Sequence, residues 1–146
     1  MIAGALFLTA GHVPATFDVC PQFHPTITLS VRGNRLNAEV ATTHSAHRCG
    51  LAKRKQLDSD RAMLFVYRDE RIRRFWMKDT RIPLSLAFIG NDKRIQQIAQ
   101  MQPQTPNRRY VSQRPARYVL ETNLGWFAAN GIRIGDAITF SLTDTN

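Results

Sequence analysis

The stretch Thr26–Val40, TITLSVRGNRLNAEV, decides the fold class. Ile27, Leu29 and Val31 alternate with polar residues, and after Gly33-Asn34 the alternation returns at Leu36, Ala38 and Val40. Successive side chains of a strand point to opposite faces, so two such runs joined by a glycine-containing turn predict a β-hairpin with one apolar face. Beyond it, Thr42 and Thr43 can cap a short helix over residues 44–54, which Gly50 weakens. Ala62–Tyr67 (AMLFVY) is an unbroken apolar run of strand length and reads as buried on both faces. A polar turn at Arg68-Asp69-Glu70 leads into a further strand, Arg71–Lys78 (RIRRFWMK). Leu84–Ile89 follows Pro83 as a strand. Arg94–Met101 has helical spacing at Ile95, Ile98 and Met101, but the Gly90-Asn91-Asp92 turn before it favours a strand pairing back onto 84–89. Pro103 and Pro106 make residues 102–109 a loop. Ala116–Leu120 reads as a strand, Asn123 as the N-cap of a helix over Leu124–Asn130, Gly131 as its left-handed C′ residue, and Ala137–Leu142 as the last strand. The sum is a mainly β chain: a single-domain β-sandwich or barrel-like fold of about seven or eight short strands with two short helices.

A chain of 146 residues allows one domain. An apolar fraction of 43% excludes an intrinsically disordered chain, and no run of about 18 apolar residues exists to form a transmembrane helix. The net charge of +9 favours anionic partners, and 16 arginines against 4 lysines favour bidentate anion contacts. The surplus is local. Residues 48–81 carry 11 basic and 5 acidic side chains, residues 108–117 carry 4 basic and no acidic ones, and the remainder sums to −1.

Residues 1–15 hold no Asp, Glu, Lys or Arg, and Ile2–Leu8 followed by Val13-Pro14-Ala15 reads as a signal-peptide remnant, with a floppy or packed native N-terminus as the alternative. Residues 16–25 then form an extension, 26–142 the domain and 143–146 a tail. Two cysteines, Cys20 and Cys49, suit either a disulfide in an exported protein or two free thiols. His44 and His47 lie near Cys49, but His-x-x-His-x-Cys is the weakest of the readings, having no established ligand spacing and no clear fourth ligand; no metal or other cofactor is expected.

Phe75-Trp76-Met77-Lys78-Asp79-Thr80 with Ile82-Pro83-Leu84 resembles the central signature of domain of unknown function family 192. Three more blocks stand in the matching order: Cys49–Arg54 (CGLAKR), Met63–Val66 (MLFV), and Pro115–Glu121 (PARYVLE) running into Gly125-Trp126 and Gly131–Asp136. The resemblance implies a compact, mostly β domain, often behind a signal peptide or lipid anchor, with no established activity. The chain departs from the family pattern at Ser85, where an Asp is usual, and at Asp79 for Asn, Ala52 for Met and Ala62 for Gly.

No nucleophile elbow, zinc-protease helix, phosphate loop or dinucleotide motif is present, so the enzyme reading is the weaker one. The ligand residues expected are Trp76, Lys78, Arg54, Arg117, Tyr118 and Glu121. Trp76 and Met77 serve first as packing, Lys78 as a solvated or acid-paired cation, Glu121 as a carboxylate near a helix N-terminus, and Asp136 as a turn residue. The leading expectation is an extracytoplasmic (periplasmic or secreted), monomeric binding or accessory domain whose Arg-rich face takes an anionic small molecule, glycan or lipid surface. The alternative is a hydrolase-like enzyme using Glu121 and Lys78 in a cleft; nucleic acid ranks third. The leading reading depends on folding to bring the two basic segments together.

Overall fold

The computed structural model describes residues 20–21 and 24–142. The remnant expected at residues 1–15 and the tail at 143–146 fall outside them. The hairpin is present: β1 (Thr26–Val31) pairs antiparallel with β2 (Asn34–Ala41), in register from Thr26 opposite Glu39 to Val31 opposite Asn34. The turn residues are Arg32 and Gly33, one place earlier than the sequence suggests, and both have positive φ (49° and 81°). That pair of conformations matches the right-handed twist of the strands it joins.

Helix α1 (His44–Cys49) is capped by the Thr43 side chain, which accepts from the Ala46 N–H at 3.2 Å. It stops at Gly50 rather than reaching residue 54, because Gly50 takes φ 49°, outside the helical region. β3 (Arg61–Arg71) returns parallel to β2. The turn expected at Arg68–Glu70 lies inside this strand. Its pairing with β8 (Ala116–Asn123) slips between Val66 and Arg71, and the bulge turns the polar residues outward. The strand expected over Arg71–Lys78 shrinks to β4 (Arg74–Phe75), paired among the described residues only with β7 (Tyr110–Val111). β5 (Leu84–Ile89) and β6 (Ile95–Met101) form the expected antiparallel pair. Helix α2 is Trp126–Ala129, N-capped by Gly125. Asn123 is therefore the last residue of β8 and no cap; its amide donates to the Leu57 and Asp58 carbonyls at 3.0 Å each. The last strand, β9, is Ile138–Thr139 alone.

The main sheet has the order β6-β5-β8-β3-β2-β1-β9. It curls until its edges meet at one end, where Arg94 bridges Ala137, the Ile95 N–H donates to the Asp136 carbonyl and the Ile138 N–H donates to the Lys93 carbonyl. The fold is thus mainly β, nine strands and two short helices among the described residues, in a half-barrel. Inside the curl lies a core drawn from all seven strands, including Leu29, Leu36, Leu64, Ala87, Leu120 and Ile138. A second core covers the outer face of β3, β5 and β8, where Met63, Phe65, Leu86, Phe88 and Val119 pack beneath α1 and β4. Two cores on one sheet explain why Ala62–Phe65 and Leu86–Ile89 are apolar without alternation. Burying Phe65 or Phe88 contributes roughly 1.5–3 kcal/mol each relative to exposure. No helix among the described residues is long and apolar enough to cross a membrane.

Candidate functional site

The outer core is incompletely filled. A cavity of about 60 Å³ opens over β3 and β8, and Glu121 lines it. In the sheet Glu121 stands between Met63 on β3 and Leu86 on β5, two neighbours that offer no polar atom. It is 4% exposed, and its carboxyl makes no hydrogen bond or ion pair with any described residue. Burial alone pushes its pKa up to about 8, so the group is largely in its acid form at neutral pH.

One wall of the cavity is the end of α1, with His47, Arg48, Cys49 and Gly50. The His47 ring Nε2 lies 2.9 Å from the Ala41 carbonyl and 3.1 Å from the Val66 carbonyl, so this nitrogen is the donor and the imidazole ties β2 to β3 where they diverge. Burial pushes the His47 pKa down, with the neighbouring Arg73 and His44 charges adding to the effect. Tyr67 stacks on the His47 ring at 4.2 Å, and the Arg73 guanidinium lies 3.7 Å from the centre of the Tyr67 ring. Arg73 is further held by the Ala116 and Asp69 carbonyls. Burial raises the Tyr67 phenol to about 12, which outweighs the opposing pull of Arg73.

The cover comes from β4 and the turn after it: Arg74, Phe75, Trp76, Lys78 and Thr80. Phe75 packs edge-on against Phe65 at 4.9 Å and anchors this flap to the outer core. Asp79 holds φ 58°, a left-handed conformation that Asn and Asp tolerate better than most residues, and its carbonyl accepts from the Lys53 N–H at 2.7 Å. Trp76 faces outward, 40% exposed, with the Arg109 guanidinium 4.2 Å and the Lys78 ammonium 5.4 Å from its ring centre.

The two basic segments meet here. Arg74 stands opposite Val111 and Phe75 opposite Tyr110, while Arg73 and Ser112 exchange two hydrogen bonds of 2.9 Å. Not all of the basic residues are available to a ligand. Arg71 and Arg73 pair with Asp69, whose carboxyl is held low chiefly by the Arg73 hydrogen bond. Arg74, Lys78 and Arg109 make no ion pair with any described residue.

Of the residues expected to bind a ligand, the fold therefore gathers Trp76, Lys78 and Glu121 around one cavity, although Lys78 makes no hydrogen bond to Glu121 or Asp79. Trp76 lies at the surface rather than in the core. Glu121 sits on β8, not at a helix entry, since α2 starts five residues later. Arg54 is elsewhere: it grips Glu39 through two 2.6 Å bonds. Burial would raise Glu39, but Arg54, with His24 and Arg61, brings it below the usual carboxylate range. Arg117 donates to Asn91 at 2.7 Å beside the β5–β6 turn, and Tyr118 points into the inner core against Phe140. Ser85 also faces the inner side, because Leu86, not Ser85, stands opposite Glu121; its hydroxyl accepts from the Gly125 N–H at 2.8 Å. In this chain position 85 holds the entry to α2 and could not pair a carboxylate with Glu121. Sequence reading missed Tyr67 and Arg74, and took His47 only as a weak metal ligand and Gly50 only as a helix breaker. The parity of Met63, Phe65 and Tyr67 along β3 was the available signal for Tyr67.

Cys20 and Cys49 form a disulfide with Cα atoms 5.6 Å apart, tying the segment before β1 to the cavity wall. No group of three or more His, Cys, Asp or Glu side chains that could hold a metal ion occurs among the described residues.

A profile of the family described as "Uncharacterized ACR", domain of unknown function 192, matches residues 27–140. The chain belongs to this family. The domain of unknown function 192 carries no established activity to transfer. The chain resembles solved structures, two of which are as follows. One is a protein of Sinorhizobium meliloti 1021, described provisionally as a transcription regulator, with 29% identity, 82% of this chain and 97% of the other covered, and a TM-score of 0.79. The other is a protein of unknown function from Novosphingobium aromaticivorans DSM 12444, with 29% identity, 92% and 99% coverage, and a TM-score of 0.75. No curated protein matches the chain.

Proposed function

We propose that this protein is an extracytoplasmic binding or accessory domain that takes an anionic ligand at the basic face over the Glu121 cavity. The observation that carries the proposal is the β4–β7 pairing, which places Arg74, Lys78 and Arg109 around an exposed tryptophan at the mouth of an unfilled cavity. Cations without acidic partners beside a low-dielectric wall attract anions more strongly than the same charges spread in water. A disulfide is favoured in oxidising compartments, which supports export. The Sinorhizobium protein's description would suggest nucleic acid, but the described helices here, of six and four residues, are too short to present a recognition helix to a major groove.

Titration at low salt with sulfate, phosphate, heparin and vesicles of acidic lipid tests the proposal. At least one should bind, more weakly as salt rises, and the Arg74→Gln/Arg109→Gln double variant should lose about tenfold in affinity. Absence of affinity for all four overturns it.

The hydrolase reading keeps one supporting observation, a carboxyl in its acid form that shares a cavity with Lys78. That is a suitable state for a proton donor. Turnover of a chromogenic glycoside or ester, abolished in Glu121→Gln, would favour it over binding alone.

A further inference from the structure

We propose that the cavity receives the carboxylate of a small organic acid, and that Glu121 in its acid form donates a hydrogen bond to it, so that binding and proton uptake are coupled. This rests on the reading of the basic face as an anion site and names the ligand class and the regulation of that site.

The argument starts from what the cavity lacks. A buried carboxyl between Met63 and Leu86, with no hydrogen-bond partner among the described residues, carries an unmet donor. Tyr67, the other hydroxyl near it, also makes no hydrogen bond there. The Thr80 hydroxyl is already given to the Lys78 carbonyl at 3.4 Å. These two hydroxyl donors match the two oxygens of a carboxylate. The walls are aromatic, from Phe65, Tyr67, Phe75 and Trp76, and about 60 Å³ holds a planar carboxylate with its first carbons.

Charge decides the proton. The titratable and charged groups that line the cavity with Glu121 are Tyr67 on β3, His47 and Arg48 on α1, Arg74 on β4 and Lys78 in the turn beyond it, while on β5 Leu86 stands opposite Glu121. The cations draw an anion in, but a carboxylate ligand beside an ionised Glu121 would meet a like charge at short range. With Glu121 protonated, that repulsion becomes a hydrogen bond. With His47 pushed down and Tyr67 pushed up, Glu121 changes charge between about pH 7 and 9.

The experiment is calorimetric titration of the full chain with acetate, at about pH 6.5 and about pH 9, in two buffers of different ionisation heat. The expected result is affinity lower by about tenfold at the higher pH, with about one proton taken up per acetate bound there. Glu121→Gln should bind acetate more weakly, equally at both pH values, and with no proton uptake. A parent whose acetate affinity and proton count do not change with pH overturns the inference, and so does a Glu121→Gln variant that retains the parent's slope. Binding of sulfate or phosphate without acetate also overturns it while leaving the anion-binding face standing. Failure of every anion removes both.

Discussion

Gly50 occupies φ 49° and ψ −133°, a backbone conformation that side chains rarely adopt, and it does so within the cavity wall. A Cβ at this position would lie 3.2 Å from the Phe65 ring and 3.8 Å from a Glu121 carboxylate oxygen. Gly50→Ala should therefore cost about 1–3 kcal/mol in a urea melt and should also weaken ligand binding at the narrowed cavity. An unchanged midpoint would contradict this account of the wall. At the same scale, Glu121 could be read in the sequence as an oddity, an acid closing an apolar strand. Its burial could not, because that depends on the flap carried by Phe75, far away in the chain.

Among the elements, α1 and the flap depend on tethers rather than on length. A six-residue helix is marginal by itself, and α1 is held by the Thr43 cap, by His47 bonding to two strands and by the Cys20–Cys49 link. Closing a loop with a sequence separation of 29 should contribute about 3–4 kcal/mol. Reduction, or a Cys20→Ser/Cys49→Ser double variant, should lower unfolding stability by about that amount, and identical melts with and without reductant would refute it. The flap also explains the failed expectation of a long strand over Arg71–Lys78. The run is apolar and basic enough to resemble a strand, but its only strand partner among the described residues is the two-residue β7. Pairing, not propensity, limits a strand's length.

For the whole molecule, the two buried glutamates give stability opposite dependences on pH. Glu121 has its folded pKa raised to about 8 from an ordinary 4.5, so between those values the native state holds a proton that the unfolded chain has released. Stability then falls as pH rises through that window and levels off above about 8, by an amount on the order of 5 kcal/mol. Glu39 has its folded pKa lowered, so its contribution is present above the ordinary carboxylate pKa and is lost as pH falls through the lowered one. Denaturant melts across about pH 7 to 9, above the range where the depressed His47 pKa adds a slope of its own, should show falling stability in the parent and a nearly flat profile in Glu121→Gln. A variant that keeps the parent's slope would remove Glu121 from this role.

The sequence by itself determined the β-hairpin at Thr26–Ala41, the doubly apolar strands, the β5–β6 pair and the family signature. Each of these is written in local side-chain period and turn chemistry, which need no distant partner to be read. Only the tertiary structure decided that residues 48–81 and 108–117 meet, that Arg54, Arg117 and Tyr118 lie away from the cavity, and that Ser85 and Glu121 face opposite sides of one sheet. Those outcomes depend on strand order and register. A one-residue change of register moves every side chain to the other face, and nothing local in the sequence specifies which strand lies beside which.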